Sequence, residues 1–94
     1  MDLSNRYETD SEVSFQKLED ATVIVHLGTG RIHHTNVTGS RIWELIEEGR
    51  SLAEILGVLQ VEFEAPPQQL QQEMLGFVEQ LSAEKMIHAA GAAA

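Results

Sequence analysis

The chain contains no cysteine. That excludes a disulfide framework, a thiolate nucleophile and a cysteine metal site together, and with them a stapled secreted mini-domain. Basic residues are scarce: six Lys and Arg stand against 15 Asp and Glu, for a formal net charge of −9. The six, Arg6, Lys17, Arg31, Arg41, Arg50 and Lys85, are scattered singly. Nucleic acids and anionic membranes both call for a clustered basic face, so neither is an expected partner. No stretch approaches the roughly 18 apolar residues of a membrane span. The opening MDLSNRYETD is acidic and polar, unlike a signal peptide, and a cytoplasmic location is expected. At 94 residues the chain makes one domain with a small core, too short for a barrel or a doubly wound sheet.

What is present is ordered in two regimes. Residues 1–11 carry Asp2, Glu8 and Asp10 with few apolar groups and read as a flexible acidic arm. From Glu12 to Val37 the pattern is that of strands. Val13 and Phe15 alternate with Ser14 and Gln16, Thr22–Leu27 reads TVIVHL, and Arg31–Val37 supplies a third candidate. Glu19-Asp20 and Gly28-Thr29-Gly30 form the turns, and loops this short imply an antiparallel meander.

From Thr38 the apolar period becomes 3.6. Ile42, Trp43, Leu45 and Ile46 share one face, and Gly49 ends that helix as a C-cap. Ser51 with Glu54 forms a capping box that opens a second helix. Ala65-Pro66-Pro67 breaks the chain, and a third helix is expected from Pro67 to about Lys85 with Leu70, Met74, Phe77 and Leu81 on its main face. Met86-Ile87 should return to the core, and 89–94 (AAGAAA) reads as a flexible tail. The fold class is therefore α+β, winged-helix-turn-helix-like, with a three-stranded antiparallel meander followed by three helices over 12–88.

No catalytic constellation emerges. Adjacent His33 and His34 point to opposite faces of a strand and cannot easily share an ion, and His26 brings no acidic third ligand. The serines lack a nucleophile-elbow context, and Gly28-x-Gly30 leads into a strand where a phosphate loop leads into a helix. The expected enzyme activity, metal and cofactor are none. The architecture suggests a DNA-reading winged helix, but its last helix carries Glu73, Glu79 and Glu84, which a phosphate surface repels. What remains is a sheet edge. An uncovered edge is either blunted by charge and twist or used to add an extended peptide as a further strand.

At Gly30–Leu45, GRIHHTNVTGSRIWEL, the chain resembles the PqqD family of peptide-binding chaperones and the wider set of RiPP recognition elements, which act in ribosomal peptide natural-product biosynthesis. Gly28, Gly30, Asn36, Gly39, Ile42, Trp43, Ser51, Glu54, Phe63-Glu64 and Met86-Ile87 fall in the family's order and spacing over roughly 13–88. Two positions depart from it: Thr35 stands where the family has Leu, and Lys85 where it has a helix-ending Gly.

The resemblance implies a non-catalytic protein. The leader of a precursor peptide lies antiparallel along the third strand, beside the last helix, for delivery to a modifying enzyme: a radical enzyme, a cyclase or a protease. Mapped onto this chain, Arg31, Ile32, His33, His34 and Thr35 would supply the backbone ladder, and Gln71, Leu75, Val78 and Ser82 the facing helix. Leu75, off the main apolar face, would be left for the ligand, and Trp43 belongs to the core. The alternatives are a winged-helix transcription factor and a PqqD-like adaptor for a partner that is not a precursor.

Overall fold

A computed structural model describes residues 2–90. Three strands, β2 (Val13–Leu18), β3 (Ala21–His26) and β4 (Ile32–His34), follow a short β1 (Tyr7–Thr9). Three helices come next, α1 (Val37–Glu47), α2 (Leu52–Glu62) and α3 (Pro67–Ala83), and a last strand β5 (Ile87–Ala89) closes the chain. The fold is α+β, with an antiparallel sheet of order β2-β3-β4 and three helices, as the periodicity implied.

The core is where the helices meet one face of β3. Ile24 is fully buried there, against Ile42, Trp43 and Ile46 of α1, Leu52, Ile55 and Leu59 of α2, and Leu70, Met74, Val78 and Leu81 of α3. Met86 and Ile87 return to this core, 0% and 2% exposed.

The caps explain the helix boundaries. Asn36 caps α1 by accepting from the Gly39 N–H at 2.8 Å, and Ser51 and Glu54 form the reciprocal capping box of α2. At the end of α3 the Lys85 N–H donates to the Ser82 carbonyl and the Met86 N–H to the Leu81 carbonyl, with Lys85 at φ +62°. This is a Schellman cap in which lysine occupies the left-handed position that usually belongs to glycine.

The N-terminal segment differs from the flexible arm expected for 1–11. β1 pairs antiparallel with β5, in the register Tyr7 to Ala89 and Thr9 to Ile87. The Leu52 and Ala53 amides donate to the carbonyls of Asn5 and Leu3, and Arg6 bridges to the Gly49 carbonyl and Glu54. Backbone pairing orders a segment whose side chains carry little apolar signal. Of the expected tail, Ala89 belongs to β5, while 91–94 lie outside the described residues.

Candidate peptide-binding groove

β4 is an edge strand, because among the described residues β3 is its only neighbour in the sheet. The Thr35 N–H donates to the Thr22 carbonyl at 2.9 Å and the His26 N–H to the Arg31 carbonyl at 2.9 Å. In an antiparallel ladder the bonded pairs alternate. The backbone groups of Arg31, His33 and Thr35 therefore face β3, and those of Ile32 and His34 point outward, unpaired within the sheet.

Side chains alternate the opposite way across the sheet. Ile32 is 62% exposed on the outer face, whereas His33 lies opposite Ile24 and turns toward α3. Its Nδ1 sits 3.2 Å from Glu84 Oε1, and its ring lies 5.5 Å from that of Phe77. Thr35 ends the strand. Its hydroxyl accepts from the Thr22 N–H at 2.8 Å where a ladder carbonyl would otherwise serve, and the Thr22 hydroxyl is bonded to Ser40 at 2.6 Å. The departure at Thr35 thus has a local reason. A buried threonine closes the ladder, so the chain turns into the Asn36 cap and β4 is shorter than the expected 31–37.

Beside this edge runs a cleft of about 600 Å³. Its walls are His33, His34 and Thr35, then Asn36, Thr38, Gly39 and Ile42 at the start of α1, and Gln72, Glu73, Gly76, Phe77 and Gln80 on α3. Two glycines open it. A Cβ on Gly39 would lie 3.2 Å from Thr35 Cβ and 3.5 Å from Phe77, so glycine permits the close approach of α1 to that ring. A Cβ on Gly76 would meet nothing within 4 Å, so its position faces open space in the cleft. Glu73 is the one carboxylate in the lining, and no Lys or Arg joins it.

Of the residues expected at the groove, His33, His34 and Thr35 line the cleft, while Ile32 lies on the edge and exposed Arg31 at the mouth of the hairpin. The expected helix residues lie elsewhere. Val78 is a fully buried core residue, Leu75 packs partly buried against the core, and neither they nor Gln71 nor Ser82 line the cleft. Phe77, assigned to the core face, packs partly buried against the core and also forms a wall of the cleft. A mid-helix glycine, Gly76, was the available signal for the face that lines the cleft, since glycine costs a helix about 1 kcal/mol and calls for a reason.

His26 Nδ1 accepts from the Gly28 and Thr29 amides at 3.1 Å, which holds the β3–β4 turn, and among the described residues no cluster of potential ligands occurs.

The sequence matches the family of coenzyme PQQ synthesis protein D over residues 21–87. The chain belongs to the PqqD family. Its PqqD-like fold is also that of two solved structures. TbiB1 in complex with the TbiA(beta) leader peptide superposes with a TM-score of 0.80 at 26% identity, over 93% of this chain and 99% of that one. A lasso peptide synthetase B1 complexed with the leader peptide gives 0.79 at 19% identity, over 88% of this chain and 98% of that one. No curated protein sequence matches. Among the described residues no helix is long and apolar enough to cross a membrane.

Proposed function

We propose that this PqqD-family protein is a RiPP recognition element: it captures the leader of a precursor peptide as an added strand on β4 and hands it to a modifying enzyme. The observation that carries this reading is the pairing of an open edge with a cleft. The outward N–H and C=O groups of Ile32 and His34 lie beside a cavity walled by α3. Strand addition needs both, main-chain partners for affinity and side-chain pockets for selection. The relative with 26% identity holds a leader peptide.

The energetics set what the leader must offer. Each main-chain bond is worth about 1 kcal/mol net, and ordering a flexible peptide costs several kcal/mol. Apolar leader side chains seated against Phe77, Ile42 and the two glycines supply the surplus, for an affinity near micromolar, about −8 kcal/mol. An acidic leader residue would pair with exposed Arg31 at the mouth of the hairpin. The protein acts by presentation, without catalysis or cofactor, in the cytoplasm where precursor peptides are made. The enzyme it serves is a radical enzyme, a cyclase or a protease.

DNA binding draws no support: α3 contains Glu73 and Glu79 and no Lys or Arg. The test is calorimetric titration with a synthetic leader peptide, starting from the TbiA(beta) leader bound by the similar protein. His34→Pro removes one outward N–H and no bond of the β3–β4 ladder, so it should weaken binding at least tenfold while the melting temperature changes little. Equal affinity in wild type and variant overturns strand addition at β4.

A further inference from the structure

The sheet has a second open border. β2 is six residues long, pairs among the described residues only with β3, and is mostly exposed. The Leu27 N–H donates to the Glu12 carbonyl at 2.8 Å, which fixes the phase of the ladder. Ser14, Gln16 and Leu18 bond to β3, so the backbone groups of Val13, Phe15 and Lys17 point away from the sheet. Of these, the Val13 N–H is taken by the Asp10 carbonyl at 3.1 Å. The others have no backbone partner among the described residues.

We infer that β2 is a dimerisation edge, and that its occupant is β2 of a second copy of this chain, paired antiparallel about a two-fold axis at Phe15. Two observations favour a second copy. The outward groups are centred on Phe15, so a dyad there sets Phe15 against its copy and Lys17 against Val13 of the other chain. Every free N–H then meets a free carbonyl, four bonds in all, while the Val13 N–H stays with the Asp10 carbonyl and leaves the Lys17 carbonyl of the other chain without a partner.

The side chains are self-complementary too. Phe15 is 43% exposed although its ring packs edge-on against Trp43 at 5.5 Å. The dyad places two such half-covered rings side by side. Lys17 is the only charged residue in VSFQKL, in a chain with 15 carboxylates. Inward-pointing lysine commonly guards an edge, but here Glu44 holds its ammonium at 2.9 Å, and in this register it faces a valine. On the outer face Ser14 and Gln16 oppose one another uncharged.

The product is a six-stranded sheet, β4-β3-β2 continued through its copy, with the two β4 edges at its ends. The inference does not depend on what β4 binds. Each copy carries a net charge of −9, so added salt should tighten the dimer by screening their repulsion.

The test is sedimentation equilibrium of the full chain over a wide concentration range, with amide exchange of Phe15 and Lys17. Expected are a monomer–dimer equilibrium that strengthens with salt, and protection of both amides that rises with concentration. Lys17→Pro, which removes two of the four intermolecular bonds and no intramolecular sheet bond, and Phe15→Glu, which opposes like charges on the dyad, should each weaken dimerisation at least tenfold. The absence of cysteine allows a direct probe. Phe15→Cys should oxidise to a covalent dimer faster than Val61→Cys, which is 86% exposed on α2. A monomer at all concentrations, a dimer that survives both variants, or protection of Phe15 and Lys17 only when a modifying enzyme is added overturns the inference.

Discussion

His33 Nδ1 on β4 and Glu84 Oε1 at the end of α3 lie 3.2 Å apart, and this contact ties the two walls of the cleft together. His33 is 12% and Glu84 18% exposed, so the contact is sheltered from water. It fixes the ring beneath the edge on which the leader is proposed to lie. Glu84→Ala should free the ring and reduce leader affinity several-fold, at about 1 kcal/mol for one hydrogen bond. Calorimetry checks this, with unchanged far-UV circular dichroism as the control for folding.

Gly76 separates stability from binding. Its added Cβ meets nothing within 4 Å, and the residue lies inside α3. Gly76→Gln should stabilise the fold by about 0.5–1 kcal/mol through helix propensity. The same side chain projects into the cleft and should lower leader affinity more than tenfold. Leu75→Gln should do the reverse, costing stability by loss of a core contact and leaving affinity unchanged. Urea unfolding and calorimetry on the two variants read both quantities.

The contrast between Gly76 and Leu75 shows what the sequence could and could not reveal. The apolar positions of α3 mark a core stripe through Leu70, Met74 and Leu81, and the structure buries these three residues. A stripe has two flanks, and periodicity does not say which one faces the sheet. That depends on how the helix crosses the sheet, a tertiary relationship with no one-dimensional trace. The expected groove residues Gln71, Leu75 and Val78 lie off the cleft, and Phe77 both packs on the core and walls the cleft. Elsewhere the local signals were strong enough: Ser51 with Glu54, Gly49, and the turn at Gly30 with φ +77° specify their geometry chemically. β1 was illegible because backbone pairing with β5 holds it, and that partner lies about 80 residues along the chain.

Lys85 occupies a left-handed conformation at φ +62°. An L-residue there is strained by about 1–2 kcal/mol and glycine is not, while glycine loses more backbone entropy on folding. Lys85→Gly should therefore stabilise the protein by about 1 kcal/mol or slightly less, with leader affinity unchanged. Thermal unfolding at several urea concentrations measures it.

The capping box gives a pH dependence of known sign. The Ser51 backbone N–H, and next the nearby Arg6, hold the Glu54 carboxyl below its ordinary value of 4.5. A depressed carboxyl stabilises the fold above its unfolded pKa and loses that contribution as pH falls through the folded value. Glu54→Gln should be less stable than wild type at neutral pH. The difference should shrink as acid is added below the ordinary value, and urea midpoints of both proteins across that range check it.

The outward edge of β4 is tested most directly by amide hydrogen exchange of Ile32 and His34 with and without leader peptide. Both amides face away from β3 and should exchange fast in the free protein and become strongly protected in the complex, while the His33 and Thr35 amides, already bonded to β3, change less. A bound leader that leaves Ile32 and His34 exchanging at their free rates would contradict strand addition on this border.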